Sequence, residues 1–174
     1  MHAFVDESKA KGYTLVAAVM LPADLVPTRK VIRELVSPGR TRVHMKREIP
    51  RRRKLILAKL RPLGPVATLY SADRAIYGTD IACRRACLEA LVHDIADTCQ
   101  SLVLEADATQ DARDRQDLIT LTKNAGCRDS LSYEHLTATT EPLLAIPDAV
   151  AWAWARGGEW RSLVKPLIKV VRMV

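Results

Sequence analysis

Aromatic side chains are scarce in this chain of 174 residues, which has one Phe, three Trp and four Tyr. A stacking platform for single-stranded nucleic acid needs several exposed rings, so any bound nucleic acid is expected to be held through its backbone. No run of about 18 apolar residues occurs, and the N-terminus lacks a basic start followed by a long apolar stretch. Neither a transmembrane helix nor a secretory signal is therefore expected, and a cytoplasmic protein is. The chain has no Gly-rich phosphate loop and no Gly-x-Ser-x-Gly elbow, and Ser8 has no nearby base, which argues against P-loop and serine-hydrolase chemistry. The cysteines Cys83, Cys87, Cys99 and Cys127 do not form a disulfide ladder. Cys83 and Cys87 lie i,i+4 on one helical face with His93 following. Tetrahedral zinc needs four convergent ligands, however, so buried reduced thiols are the expected state.

What the chain does have is apolar material and segregated charge. Hydrophobic residues make up 48%, enough for the core of a single domain over residues 1–174. The net charge is +7, and between Arg40 and Arg61 ten Lys/Arg stand against one acid, Glu48. Between Asp73 and Glu141 the balance reverses, with thirteen acids against seven bases. A concentrated basic stretch points to a polyanion, most often nucleic acid bound by phosphate contacts that release counterions. The competing explanation is a solvated, Arg-rich helix face.

Phe4 and Val5, with Leu15, Val16, Val19 and Leu21 beyond a turn, predict two paired strands. Val31, Ile32, Leu35 and Val36 predict a helix over residues 28–37, stopped by Ser37-Pro38-Gly39. Residues 41–48 then read as extended, with Val43 and Met45 on one side and Arg42, His44 and Lys46 on the other. Pro50 opens a helix whose first turn carries Arg51, Arg52, Arg53 and Lys54, against the helix dipole. Bound phosphate would offset that cost. A strand over 66–71, a helix after Thr79-Asp80 with Ile81, Leu88, Leu91 and Ile95 on one stripe, and an apolar strand over 101–105 follow. A helix from Asp111 stops near Gly126, residues 131–136 alternate as a strand, and a helix runs from about Pro142 to Arg156. Residues 169–173 read as a last strand or a tail. The late tryptophans Trp152, Trp154 and Trp160 suit core packing or the surface of a homodimer.

Three acids occupy positions of interest. Asp6 ends the first strand, with Glu7 beside it, and a strand fixes a metal ligand better than a loop does. Glu105 ends the apolar strand of a sheet covered on both faces, with Asp107 just beyond. Asp148 follows Pro147 among apolar residues and shares a helical face with Ala151, Trp152 and Ala155, small enough in part to let the acid approach a sheet. The bland alternatives are a hairpin cap for Asp6 and a complement to a helix N-terminus for Asp148.

Phe4-Val5-Asp6-Glu7-Ser8, the strand with Glu105, and Glu141-Pro142-Leu143-Leu144 through Pro147-Asp148-Ala149-Val150-Ala151-Trp152 together resemble an uncharacterised bacterial family, the domain of unknown function 3800. Pro147 stands where alanine is common in that family. The resemblance implies an α/β, RNase H-like fold, a mixed central sheet with helices on both faces. It further implies a metal-dependent nuclease or other phosphodiester-processing hydrolase acting on RNA or DNA, using two Mg²⁺ or Mn²⁺ ions. Carried over by position, Asp6 is the bridging ligand, Glu105 the strand ligand and Asp148 the helix ligand, with Asp107 or Glu7 assisting. Carboxylates so gathered raise one another's pKa, and so imply a cation. His44, Lys46, Arg47, Arg51, Arg52 and Arg53 would bind phosphates, and His135 is a candidate proton shuttle. The alternative function is a non-catalytic nucleic-acid-binding or partner-binding protein of the same fold in a defence or mobile-element setting. A third hairpin strand is not evident, since a helix and the basic segment follow the first two strands.

Overall fold

Strands β1 (His2–Ser8) and β2 (Tyr13–Met20) pair antiparallel along their whole length, from His2 against Met20 to Ser8 against Thr14. In the computed structural model, which describes residues 1–10 and 12–174, these strands are the centre of a six-stranded mixed sheet. Its order is β5 (Ser132–Leu136), β4 (Ser101–Glu105), β1, β2, β3 (Val66–Ala72), β6 (Ile168–Met173). β2 runs against the other five: β1–β4, β4–β5 and β3–β6 are parallel, whereas β2 is antiparallel to β1 and β3. β3 is thus the third meander strand, displaced in sequence by the helix and basic segment that precede it.

Helices cover both faces. On one lie α4 (Asp80–Ile95) and α5 (Asp111–Asn124), where Leu88, Leu91 and Leu118 pack on Ala3, Val5, Leu15, Leu102 and Leu104. On the other lie α1 (Pro22–Glu34), α2 (Pro50–Leu60) and α6 (Ala145–Arg156), where Ile32, Ile56, Ile146, Ala149 and Ala153 pack on Phe4, Ala18, Met20 and Val103. The period-2 alternation of strand side chains produces both cores from the same strands. Short helices α3 (Arg74–Tyr77) and α7 (Gly158–Val164) complete the set, and Gly157, with φ 75°, ends α6 in a conformation that favours glycine. Among the described residues no helix is long and apolar enough to cross a membrane.

Several local expectations need correction. The first helix starts at Pro22, not near Thr28, because Pro22 presets φ for a helix start and Pro27 is accommodated inside the helix. Leu21 lies outside β2 and is 55% exposed. Residues 41–48 are not a strand: they bend into a 3₁₀ turn over Met45–Arg47, although Val43 and Met45 are buried as their spacing suggests. Ile81 lies off the buried stripe of α4, at 47% exposure. All four cysteines are buried free thiols, and Cys87 Sγ donates to the Tyr70 carbonyl at 3.4 Å, while burial pushes its pKa up to about 12.

Candidate active site

The strand alternation that builds two cores also separates the two acids at the end of β1. Phe4 faces the α6 layer and Val5 the α4–α5 layer, so Asp6 follows Phe4 and Glu7 follows Val5. On β4, Val103 faces α6 and Leu104 faces α4–α5, which puts Glu105 on the Asp6 side. Because β1 and β4 are parallel with Val5 against Leu104, Asp6 and Glu105 leave adjacent strands one step beyond that pair. Asp148 stands in the first turn of α6, the helix packed across β1 and β2. Ala149 and Ala153, both fully buried, let that helix lie close to the sheet.

Asp6, Glu105 and Asp148 line one pocket of about 660 Å³ with Glu7, Ser8, Lys9, Arg42, His44, Lys46, Trp152 and Arg156. Asp6 Oδ1 accepts the Glu7 N–H at 2.7 Å. Burial pushes the Asp6 carboxyl well above its ordinary pKa, and the charges of Glu105 and Asp148 push it further. Among the described residues no cationic side chain pairs with Asp6. The other two acids are held by the segment between α1 and α2: Arg42 forms an ion pair with Glu105, the Met45 N–H donates to Asp148 Oδ2 at 2.9 Å, and His44 Nδ1 lies 3.5 Å from the same oxygen.

The basic residues separate into two groups. His44 and Lys46 line the pocket, together with Lys9, Arg42 and Arg156. Arg53 instead donates from Nε to the Met45 carbonyl at 2.8 Å and from Nη2 to the Lys46 carbonyl at 3.1 Å, with its guanidinium 4.4 Å from the Trp152 ring centroid. Arg52 pairs with Glu48 and donates to the Leu35 carbonyl. Arg52 and Arg53 therefore fasten the basic segment, correcting their expected phosphate role. Arg47 and Arg51 lie outside the pocket lining, and Arg51 is exposed at the start of α2. Trp152 meets Trp160 edge-to-face at 5.0 Å, so these rings pack within the chain.

The expected shuttle role of His135 does not fit its position. His135 pairs with Leu104 across β4–β5, and its side chain, 1% exposed, lies under α5 with Nε2 3.1 Å from Asp114 Oδ2. Its buried Nδ1 has no hydrogen-bond partner among the described residues. Asp114 is also gripped by buried Arg84, Nε to Oδ1 at 2.8 Å and Nη2 to Oδ2 at 2.7 Å, while Nη1 reaches Glu7 and the Tyr13 hydroxyl. Burial alone would raise the Asp114 pKa, but hydrogen bonds from His135 and Arg84 outweigh it and hold the carboxyl below its ordinary value. Gln110 donates to Glu7 Oε1 at 3.1 Å and Lys9 lies 3.1 Å from it, so both Glu7 oxygens are engaged. Asp107 accepts from Thr109 and Gln110, which pull its pKa down to about 2. Glu7 and Asp107 thus hold local hydrogen bonds, and both line a second pocket beside Asp6 and Glu105.

Hard divalent cations take carboxylate oxygens, and Asp6, Glu105 and Asp148 supply that chemistry on one wall. Among the described residues, no three His, Cys, Asp or Glu side chains already converge on a metal position. Glu105 is paired with Arg42, and Asp6 has no positive partner among the described residues.

No protein-family model and no curated protein matches this chain. Among solved structures it is similar to RNase HII in the PCNA:RNase HII complex from Archaeoglobus fulgidus, with a TM-score of 0.60 and 14% identity over 90% of this chain and 73% of that one. The likeness is one of fold.

Proposed function

We propose that residues 1–174 form one RNase H-like domain acting as a metal-dependent nuclease on RNA or DNA. One observation carries this reading: Asp6, just beyond the β1–β4 pairing, Glu105 at the end of β4 and Asp148 of the helix packed on β1 and β2 line one pocket, and the buried Asp6 has no cationic partner among the described residues. The fold likeness to an enzyme named as a ribonuclease supports it. Asp6, Glu105 and Asp148 would hold Mg²⁺ or Mn²⁺, which supplies water activation and stabilisation of the leaving oxygen of a phosphodiester. Lys9, Lys46 and Arg156 would hold flanking phosphates, since they line the pocket around the acids. The Met45 N–H and His44 orient Asp148, and the Glu7 N–H orients Asp6.

Calorimetry with Mn²⁺ and Mg²⁺ on the wild type and on Asp6→Asn, with cleavage of labelled RNA and DNA followed on the same samples, tests the assignment. Binding and metal-dependent cleavage that disappear together in Asp6→Asn are the expected result. Absence of both from the wild type would overturn the assignment and leave a non-catalytic nucleic-acid-binding or partner-binding protein of the same fold as the reading to pursue.

A further inference from the structure

Glu105 cannot serve a cation fully while it holds a guanidinium. Arg42 lies on the irregular segment before the 3₁₀ turn, and its side chain is 33% exposed beside the 22% exposed Glu105. Among the described residues it is the one arginine or lysine paired with any of the three pocket acids; Lys9 pairs with Glu7 instead, and Lys46 and Arg156 have no such partner there. Asp148 is held by a backbone N–H and a histidine ring, neither of which must leave for an oxygen to accept a second partner. Arg42 is therefore the group in conflict with metal loading, because a guanidinium and a divalent ion on one carboxylate repel each other.

We infer that Arg42 is a shared donor, which neutralises Glu105 in the metal-free protein and turns to a nucleic-acid phosphate when a divalent cation takes Glu105. This rests on the metal-dependent reading above. The guanidinium suits both partners, since its planar fork matches carboxylate and phosphate geometry alike. It already lines the pocket and is partly exposed, so it can turn from Glu105 to a phosphate there without displacing core side chains. The exchange makes metal loading and phosphate capture mutually supportive: the cation frees the arginine, and the phosphate keeps it away from Glu105. It also limits cation binding when nucleic acid is absent.

The test compares wild type, Arg42→Ala and Arg42→Gln, all checked for cooperative unfolding. Mn²⁺ affinity by calorimetry is expected to rise about fivefold or more in both variants, the scale of a competing charge-assisted hydrogen bond removed. The salt dependence of binding to labelled RNA and DNA 20-mers is measured in Mn²⁺ and in EDTA, with oligomer length verified after each titration. In Mn²⁺ the slope of log K against log salt is expected to fall by about one in the variants, as for one lost phosphate contact, and in EDTA to stay unchanged. Unchanged or weaker Mn²⁺ affinity in the variants, or a slope change equal in both buffers, overturns the exchange while leaving the metal site standing. Absence of Mn²⁺ binding from all three proteins overturns the metal site itself and the exchange with it.

Discussion

Arg84 of α4 and Asp114 of α5 are joined by two parallel hydrogen bonds of 2.8 and 2.7 Å, with side chains 5% and 3% exposed. A third guanidinium nitrogen reaches Glu7, the residue after Asp6, so the pair ties two helices to the strand that carries the candidate site. Removing Arg84 leaves the buried Asp114 with His135 alone and takes the guanidinium from Glu7 as well. Arg84→Ala is expected to cost about 3–5 kcal/mol in denaturant unfolding. The double variant with Asp114→Ala is expected to cost less than the sum of the two single changes, which a double-mutant cycle reads directly.

The same pair sets an acid limit. Asp114 titrates below its ordinary value in the folded protein, so its contribution is fully present above the unfolded carboxylate pKa of about 3.9 and is lost as pH falls through the depressed folded value. The stability gap between wild type and Asp114→Asn is therefore expected to shrink as pH falls below about 4. A gap that stayed unchanged down to about pH 2 would show that the Asp114 carboxylate does not carry the acid limit.

Asp6 is a stability liability in the absence of a cation. It is held among Glu105 and Asp148 and accepts one backbone N–H that an asparagine could also satisfy. Asp6→Asn is expected to raise the unfolding midpoint in EDTA by about 2–4 °C, the shift that about 1 kcal/mol gives in a chain of this size. Mn²⁺ is expected to raise the wild-type midpoint and leave that of Asp6→Asn unmoved, because a ligand stabilises the state that binds it.

How far the sequence exposed these features depended on how local their causes were. The apolar run before Glu105 marked a strand end, because a buried strand must be apolar until it reaches the rim, whereas β1 does not end at Asp6 as expected but stays paired with β2 to Ser8. Placing Glu7 on the opposite face needed only the two-residue strand period, a signal available but unused. The start of α1 was hidden because Pro27 reads as a breaker, whereas Pro22 supplies the helix start. Arg52 and Arg53 advertised positive charge, but a sequence does not show that their partners are the carbonyls of Leu35, Met45 and Lys46. The Arg84–Asp114 pair, 30 residues apart, and the contact of Arg42 with Glu105, 63 apart, arise from tertiary packing alone.

Arg53 separates a fastening role from a phosphate role. Its guanidinium holds two carbonyls of the basic segment and lies over Trp152, so Arg53→Ala is expected to cost about 1–2 kcal/mol and to open the Lys46-Arg47 bonds to trypsin. Arg51, exposed at the start of the same helix, is expected to give no stability change beyond about 0.5 kcal/mol when replaced by alanine. Limited proteolysis beside denaturant unfolding distinguishes the two.

The approach of α6 to the sheet is what delivers Asp148, and small side chains set that distance. Ala149 is fully buried against the layer that contains Phe4 and Val103, directly after the acid. A leucine there has no space in a filled core, so Ala149→Leu is expected to destabilise by about 1–3 kcal/mol by overpacking. Relief of the clash must move the helix outward, carrying Asp148 from the Met45 N–H and from the pocket it shares with Asp6 and Glu105. Mn²⁺ affinity should consequently fall at least tenfold in protein that remains folded, whereas Ala149→Ser, which adds one oxygen atom, should lose far less. If Ala149→Leu destabilised the protein but bound Mn²⁺ as the wild type does, Asp148 would not be a ligand whose position α6 controls.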